Sequence, residues 1–377
     1  MKIGIDGRMR GVKQTGIGIY IENLIKNVLK LDSENEYVLF LKNIDGELES
    51  ELKKYKNVKI IDADYPWYSY GEQIFFPFKI WREKLDLMHF PHFNAPIFCP
   101  VKFVVTIHDM TPKYFSGNKV GRSFFRRKMF DLVMARALLK SEKIIAVSNF
   151  TKNEILKFYP HTSGDKVEVI YEGLREEFFV KLNYTPTSNF QSLISSFIFY
   201  TGAWRSHKNL VGLIKAFKIL KDKYQVIHKL VLGGSEDPNY PEVRKTWEEL
   251  GLEKDIVLTG FLNLKDQIFL YRNCDLYVSP SFSEGFGFTP LEAMVCGASV
   301  ALSDIPAHRE ISGDLPIYFD PQNQEDMAGK IYFALNNENF RQKFASQGIE
   351  FARKYRWQDC AIKTLKLYNN ITKVNNA

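Results

Sequence analysis

Short apolar runs alternate with longer amphipathic stretches along nearly the whole chain. Lys2 to Asp6 reads as a buried strand, followed by a glycine-bearing loop from Gly7 through Gly16-Ile17-Gly18. Ile19 to Leu31 then sets Ile21, Leu24, Ile25, Val28 and Leu29 on one face, which is the helical period. Tyr37 to Lys42 and Val58 to Asp62 read as strands, and Leu87 to Phe93 as a strand end running into a proline-bearing loop. Val101 to Asp109, Ile144 to Asn149 and Val167 to Gly173 carry further strands, each ending in polar residues, and a helix starts at Phe150. Trp67 to Trp81 is aromatic-rich and holds Glu72-Gln73, a pattern of core packing plus a surface segment. The polar stretch Lys181 to Gln191, with Pro186, Thr187 and Ser188, is the linker candidate. The alternation then restarts: Phe197–Thr201 as a strand, Leu210–Lys223 as a helix, then strands at Lys229–Leu232, Ile256–Leu258, Asp275–Ser279 and Ser299–Ser303. Phe344 to Asn370 is largely helical, with Trp357, Ala361, Leu365 and Tyr368 on one face. Strand and helix in turn, without a repeat of solenoid length, mean an α/β protein.

Length and charge narrow this. A chain of 377 residues is long for one domain and comfortable for two, and 45% apolar with 25% charged residues is ordinary for a globular protein. The formal net charge of +7 suits an anionic ligand or an acidic membrane surface; without a motif it does not argue for nucleic acid. Cys99, Cys274, Cys296 and Cys360 are scattered without metal-ligand spacing, which reads as a reduced cytoplasmic setting with no zinc site. His89 and His92 lack a supporting carboxylate or cysteine for a metal. The N-terminus has no signal-peptide core and no apolar run approaches the roughly 18 residues needed to span a bilayer, so membrane contact is expected to be peripheral. Lys119 to Phe130 has five basic residues and no acid, interleaved with Phe124, Phe125 and Phe130. It reads either as a basic amphipathic helix on anionic lipid or as a solvated face over core phenylalanines.

The densest candidate chemistry lies in Ser281 to Gly297, SFSEGFGFTPLEAMVCG. Thr289-Pro290-Leu291-Glu292 has the form of a capping box with proline at the first helical position, and Gly297 suits the helix end. Gly285-Phe286-Gly287 lets backbone approach a ligand, and a helix N-terminus behind a glycine loop favours an anion. A capping box needs neither Glu284 nor a glycine on each side of Phe286, so this stretch reads as a site. Arg205 and Lys208 stand just before the helix at Leu210, with Asn209 as its N-cap; two cations beside a helix N-terminus make an anion pocket. Gly16 lies where an early glycine loop meets a helix. His108-Asp109 ends an apolar strand, the place where ligands bind in open α/β sheets; the plain alternative is a histidine held by the next carboxylate.

The segment EGFGFTPLEAMVCGASV resembles the glutamate-pair signature of the retaining GT-B glycosyltransferases of the large group 1 family, glycosyltransferase family 4. The resemblance runs over nearly the whole chain, and around HFPHFNAP and TIHDMTP it is most similar to bacterial mannosyltransferases of surface polysaccharide synthesis. It implies two doubly wound Rossmann-like domains facing across a cleft, residues 1–182 and 183–357, with a C-terminal helix over 358–377 crossing back. It implies sugar transfer from a nucleotide diphosphate sugar with retained anomeric configuration, without a cofactor or metal. Arg205, Lys208, Gly16 and the backbone of Gly285, Phe286 and Gly287 would hold the diphosphate. Glu284 would bind sugar hydroxyls, Glu292 the ribose diol, and His108 the transferred sugar. The family usually has Asn-Gly where this chain has Glu172-Gly173. GDP-mannose is the favoured donor and a lipid-linked oligosaccharide at the cytoplasmic membrane face the favoured acceptor. A UDP-sugar such as UDP-glucose is the alternative donor, and a nucleotide-sugar epimerase or a silent sugar-nucleotide-binding scaffold the alternative function.

Overall fold

A computed structural model describes residues 1–11, 15–44, 46–66, 69–115, 124–180, 190 and 196–373. The chain divides by contacts into two units: Met1–Met110 with Lys119–Gly173 and Arg356–Ala377, and Thr111–Asn118 with Leu174–Tyr355. The expected divisions, after 182 and after 357, stand beside observed ones after Gly173 and Tyr355. Most of the expected linker, Lys181 to Gln191, lies outside the described residues.

Among the described residues the first unit holds strands β1 (Lys2–Asp6), β2 (Glu36–Leu41), β3 (Val58–Asp62), β4 (Leu87–Phe90), β5 (Phe103–Ile107), β6 (Lys143–Ala146) and β7 (Val167–Val169). Their order is β3-β2-β1-β4-β5-β6-β7, and every pairing is parallel. The second unit holds β8 (Phe197–Thr201), β9 (Lys229–Gly233), β10 (Ile256–Gly260), β11 (Leu276–Ser279), β12 (Val300–Ser303) and β13 (Ile317–Phe319), again parallel, in the order β10-β9-β8-β11-β12-β13. Both are doubly wound sheets whose strand order reverses at one point, between β1 and β4 and between β8 and β11. β5, β8, β11 and β12 are buried along their whole length, which is why they read as continuous apolar runs rather than alternating ones.

Several expectations change. The first helix runs Thr15–Leu31, so Gly16 and Gly18 lie inside it rather than in the loop. Helical backbone is open to glycine at about 1 kcal/mol, and the buried face of Tyr20, Ile21, Leu24, Ile25 and Val28 outweighs that. The aromatic stretch forms the helix Tyr70–Arg82, capped by Ser69, with Phe76 and Ile80 buried and Ile74, Phe75, Phe78 and Trp81 exposed. The helical C-terminal region is two helices, Glu338–Ala352 and Trp357–Lys373. The second belongs to the first unit and buries Trp357, Ala361 and Tyr368, whereas Leu365 is only half-buried. A buried polar chain ties it down: the Tyr368 hydroxyl and His89 Nδ1 are 2.5 Å apart, His89 Nε2 meets Thr106 Oγ1 at 2.8 Å, and Thr106 meets the Tyr20 hydroxyl at 3.2 Å. His89 is therefore a structural histidine, pushed down to about 3 by burial and by the charge of His108. Among the described residues no group of three His, Cys, Asp or Glu side chains is placed to hold a metal ion.

Candidate functional site

In the second unit, the groups of interest follow adjacent strands at the reversal point. β8 ends at Thr201, and the turn Ser206–Lys208 brings Lys208 round before the helix Leu210–Asp222. Asn209 caps that helix as expected: its side chain accepts from Gly212 N at 3.2 Å. Its amide also donates to the carbonyls of Pro280 and Pro321, at 3.1 and 2.9 Å, which pins the β8 loop against the loop leaving β11. Phe282 N donates to His207 O at 2.8 Å across the same two loops. This bracing sets Lys208 Nζ 2.7 Å from both oxygens of Glu284, and Ser281 Oγ donates to the same carboxylate at 2.6 Å. Burial alone would raise the Glu284 carboxyl; Lys208, His308 and the hydrogen bonds from Lys208 and Ser281 outweigh it and hold the group at about 2. Arg205, on the same turn, is exposed.

The helix after Glu284 does not form the expected capping box. It runs Phe288–Val295 with Gly287 at the N-cap position, at φ 90°, and no side chain caps it. That φ favours glycine, because a Cβ is strained there whatever the space around it. Glu292 lies in the second turn of this helix rather than at its third position, and it accepts instead from Gln267 Nε2 at 2.9 Å and Tyr271 OH at 3.1 Å, with Arg175 Nη2 at 3.7 Å. Burial raises the Glu292 carboxyl despite Arg175 and these donors. Gly297 ends the helix region at φ 88°, as its position implied. Phe286 is turned into the core, edge-on to Phe288 and Tyr355 at 5.5 and 5.6 Å, so it offers a ligand only its backbone. Arg175 was not singled out from the sequence; nothing in its surroundings there marked it. The ends of β8, β9 and β10 are also tied: Gly234 bridges Gly260, and a Cβ on Gly234 would lie 2.1 Å from Gly202 O.

The first unit holds His108 just past β5, beside Tyr20 with ring centroids 4.7 Å apart. Its Nε2 donates to Pro91 O, just past β4, at 2.8 Å. Its Nδ1 meets Glu172 Oε1 at 2.9 Å. The carboxylate that holds the histidine is thus Glu172, 64 residues away in sequence, and not the adjacent Asp109. Burial would lower His108, but the hydrogen bond and charge of Glu172 and the Pro91 carbonyl raise it above its ordinary value. Since both nitrogens are occupied, the expected hydrogen bond from His108 to a sugar has no free ring atom to use in this arrangement. Gly16, in the first turn of the helix Thr15–Leu31, is half-buried.

Two parallel-sheet Rossmann-like units, one with a cation–carboxylate pair beside a glycine loop at its strand-order reversal, define the GT-B fold class. The Glycosyltransferase Family 4 profile matches residues 15–178 and that of Glycosyl transferases group 1 matches residues 189–351; the chain belongs to this glycosyltransferase family. It is 30% identical over 273 residues to the serotype-specific mannosyltransferase WbdA of Escherichia coli, an alignment covering 70% of this chain and 32% of WbdA. The chain thus spans about a third of that relative's length. It is 23% identical over 379 residues to the O-antigen chain mannosyltransferase B of Escherichia coli, covering 94% of this chain and 96% of that protein. HepE of Anabaena, solved in complex with UDP-glucose, shares the fold with a TM-score of 0.74 at 18% identity, over 98% of this chain and 100% of that one.

Proposed function

We propose that the chain is a retaining, metal-independent glycosyltransferase that moves mannose from GDP-mannose to a hydroxyl of a lipid-linked oligosaccharide in surface polysaccharide synthesis. The observation that carries the donor site is Lys208 held on both oxygens of Glu284 beside the Gly285–Gly287 loop. The carboxylate stays ionised and can accept sugar hydroxyls, while the cation is kept within reach of a diphosphate. In the reaction, the bond from the anomeric carbon to the leaving phosphate oxygen breaks and a bond to the acceptor oxygen forms on the same face. The acceptor proton passes to the leaving diphosphate. Lys208, Arg205 and the N–H groups of the Gly285–Gly287 loop stabilise the charge that builds there; each such preorganised donor is worth about 3 kcal/mol. Glu292, buried among Arg175, Gln267 and Tyr271, takes the ribose diol. His108, with both ring nitrogens engaged by Glu172 and the Pro91 carbonyl, acts through the positive charge that Glu172 favours on its ring.

Mannose is supported by the two Escherichia coli mannosyltransferases that the chain is similar to. UDP-glucose is the second reading, because HepE holds it on the same fold. A lipid-linked acceptor would bring the chain to the cytoplasmic membrane face; among the described residues no helix is long and apolar enough to cross a membrane. The start of the basic segment Lys119 to Phe130, residues 119–123, lies outside the described residues; Arg127 and Lys128 are exposed on the helix Phe124–Lys140. Incubation with labelled GDP-mannose or UDP-glucose, in EDTA, tests the reading. Release of nucleotide with the label passing to acceptor or water supports a transferase, an epimerised donor supports an epimerase, and untouched donor overturns both.

A further inference from the structure

His308 uses only half of its ring within the fold. It follows β12 on the short helix Pro306–Ser312, one strand over from the β11 loop that carries Glu284, and is 1% exposed. Its Nδ1 donates to Ser303 O at 3.0 Å. Its Nε2 is buried and has no hydrogen-bond partner. The carbon bonded to that nitrogen, Cδ2, lies 3.7 Å from where a Cβ would stand on Gly287. The ring also feels the charges of both Glu284 and Lys208. An unmatched buried polar atom beside the glycine loop of the donor site costs free energy that a ligand group can recover.

We propose that His308 Nε2 is a binding point for a hydroxyl group of the transferred sugar, working beside Glu284 to fix the sugar's orientation. The proposal rests on the donor-site reading above and adds which chemistry this position selects. With the Nδ1 proton committed to Ser303, a neutral ring presents a bare lone pair at Nε2, which can only accept. Burial lowers the His308 pKa, and Lys208 adds to this, so the neutral ring is the favoured form despite Glu284 and the Ser303 carbonyl. An ionised phosphate oxygen also only accepts, so it is not matched here; a hydroxyl is.

The test is calorimetric binding of GDP, GDP-mannose, UDP and UDP-glucose to the full chain, to His308→Asn and to His308→Gln. Asparagine keeps a donor for Ser303 O and places nothing where Nε2 stood; glutamine reaches the Nε2 position with an amide oxygen. His308→Asn should weaken the nucleotide sugar about tenfold and leave the free nucleoside diphosphate unchanged, and His308→Gln should regain part of the loss. On the unsubstituted chain, one monodeoxy donor analogue should bind about tenfold more weakly than its parent. His308→Asn should not distinguish that analogue from the parent. Equal loss on the sugar and on the free nucleotide, or no loss, overturns the role of His308 alone. So does a full set of monodeoxy donors that all bind the unsubstituted chain like the parent, a result independent of whether the variants fold. Failure of the unsubstituted chain to bind any nucleotide overturns the donor-site reading, and this proposal with it.

Discussion

The two units build their polar centres from one sheet plan and arrive at opposite degrees of saturation. In the second unit, Lys208 and Glu284 leave the neighbouring strands β8 and β11, and their side chains remain 21% and 13% exposed. Both groups satisfy each other, yet each has capacity left: an ammonium has three donors and a carboxylate about four acceptor sites. In the first unit, His108 leaves β5 and is held by Pro91 beyond β4 and by Glu172, whose side chain is 2% exposed. An imidazole ring has two nitrogens, and both are committed. The strand-end rule brings polar residues to the same edge of each sheet. Leftover hydrogen-bonding capacity then separates a centre that can take a ligand directly from one that acts through charge.

The largest effect should come from Glu284→Gln, which keeps the shape and removes the charge that orients the sugar and balances Lys208. Transfer should fall by about a hundredfold or more with the fold retained. Near-normal turnover would take Glu284 out of the chemistry. Lys208→Ala should weaken nucleoside diphosphate affinity by about tenfold or more, in a way that narrows at high salt; unchanged affinity would sink the diphosphate assignment. The same substitution carries a pH signature. Glu284 is held at about 2 against an ordinary 4.5, so its contribution to stability is present above 4.5 and is lost as pH falls towards 2. Unfolding midpoints measured through that window should fall less steeply in Lys208→Ala than in the unsubstituted chain.

The first unit offers the smaller, sharper contrast. His108 is raised above 6.5, so the stability its charge supplies is present below that value and is lost as pH rises through the raised one. Glu172→Gln should move the His108 titration downward, read from its imidazole proton resonances. An unmoved titration would mean that Glu172 does not set the charge. The smallest expected effect is that of EDTA: transfer should persist undiminished, and full metal dependence would contradict the charge-only account of the leaving group.

Nearly every strand was legible in the sequence, because parallel strands covered on both faces are written as unbroken apolar runs. β13 was not, being three residues long with two of them half-buried. The donor site was legible where its residues fall close together: Glu284 with its glycine loop, and Lys208 with its Asn209 cap. The capping box at Thr289–Glu292 is present as a pattern and absent as a contact, because the helix begins at Phe288 and Gln267 and Tyr271 from a preceding helix claim the carboxylate. Glu172 stood out only as a departure from the Asn-Gly that the family usually carries, and no local signal ties it to a histidine 64 residues earlier. His308 was missed although the strand-end rule that marked His108 applies to it equally, five residues past Ser303.

The most direct test of the donor site is thermal unfolding with GDP, UDP, ADP and dTDP at matched concentrations in EDTA, on the unsubstituted chain and on Lys208→Ala. A ligand at about a hundred times its Kd adds roughly 2.7 kcal/mol to stability. The account predicts a clear rise with GDP, or with UDP under the second reading, that shrinks in Lys208→Ala. No rise with any of the four nucleotides, or a rise that Lys208→Ala leaves untouched, would contradict it.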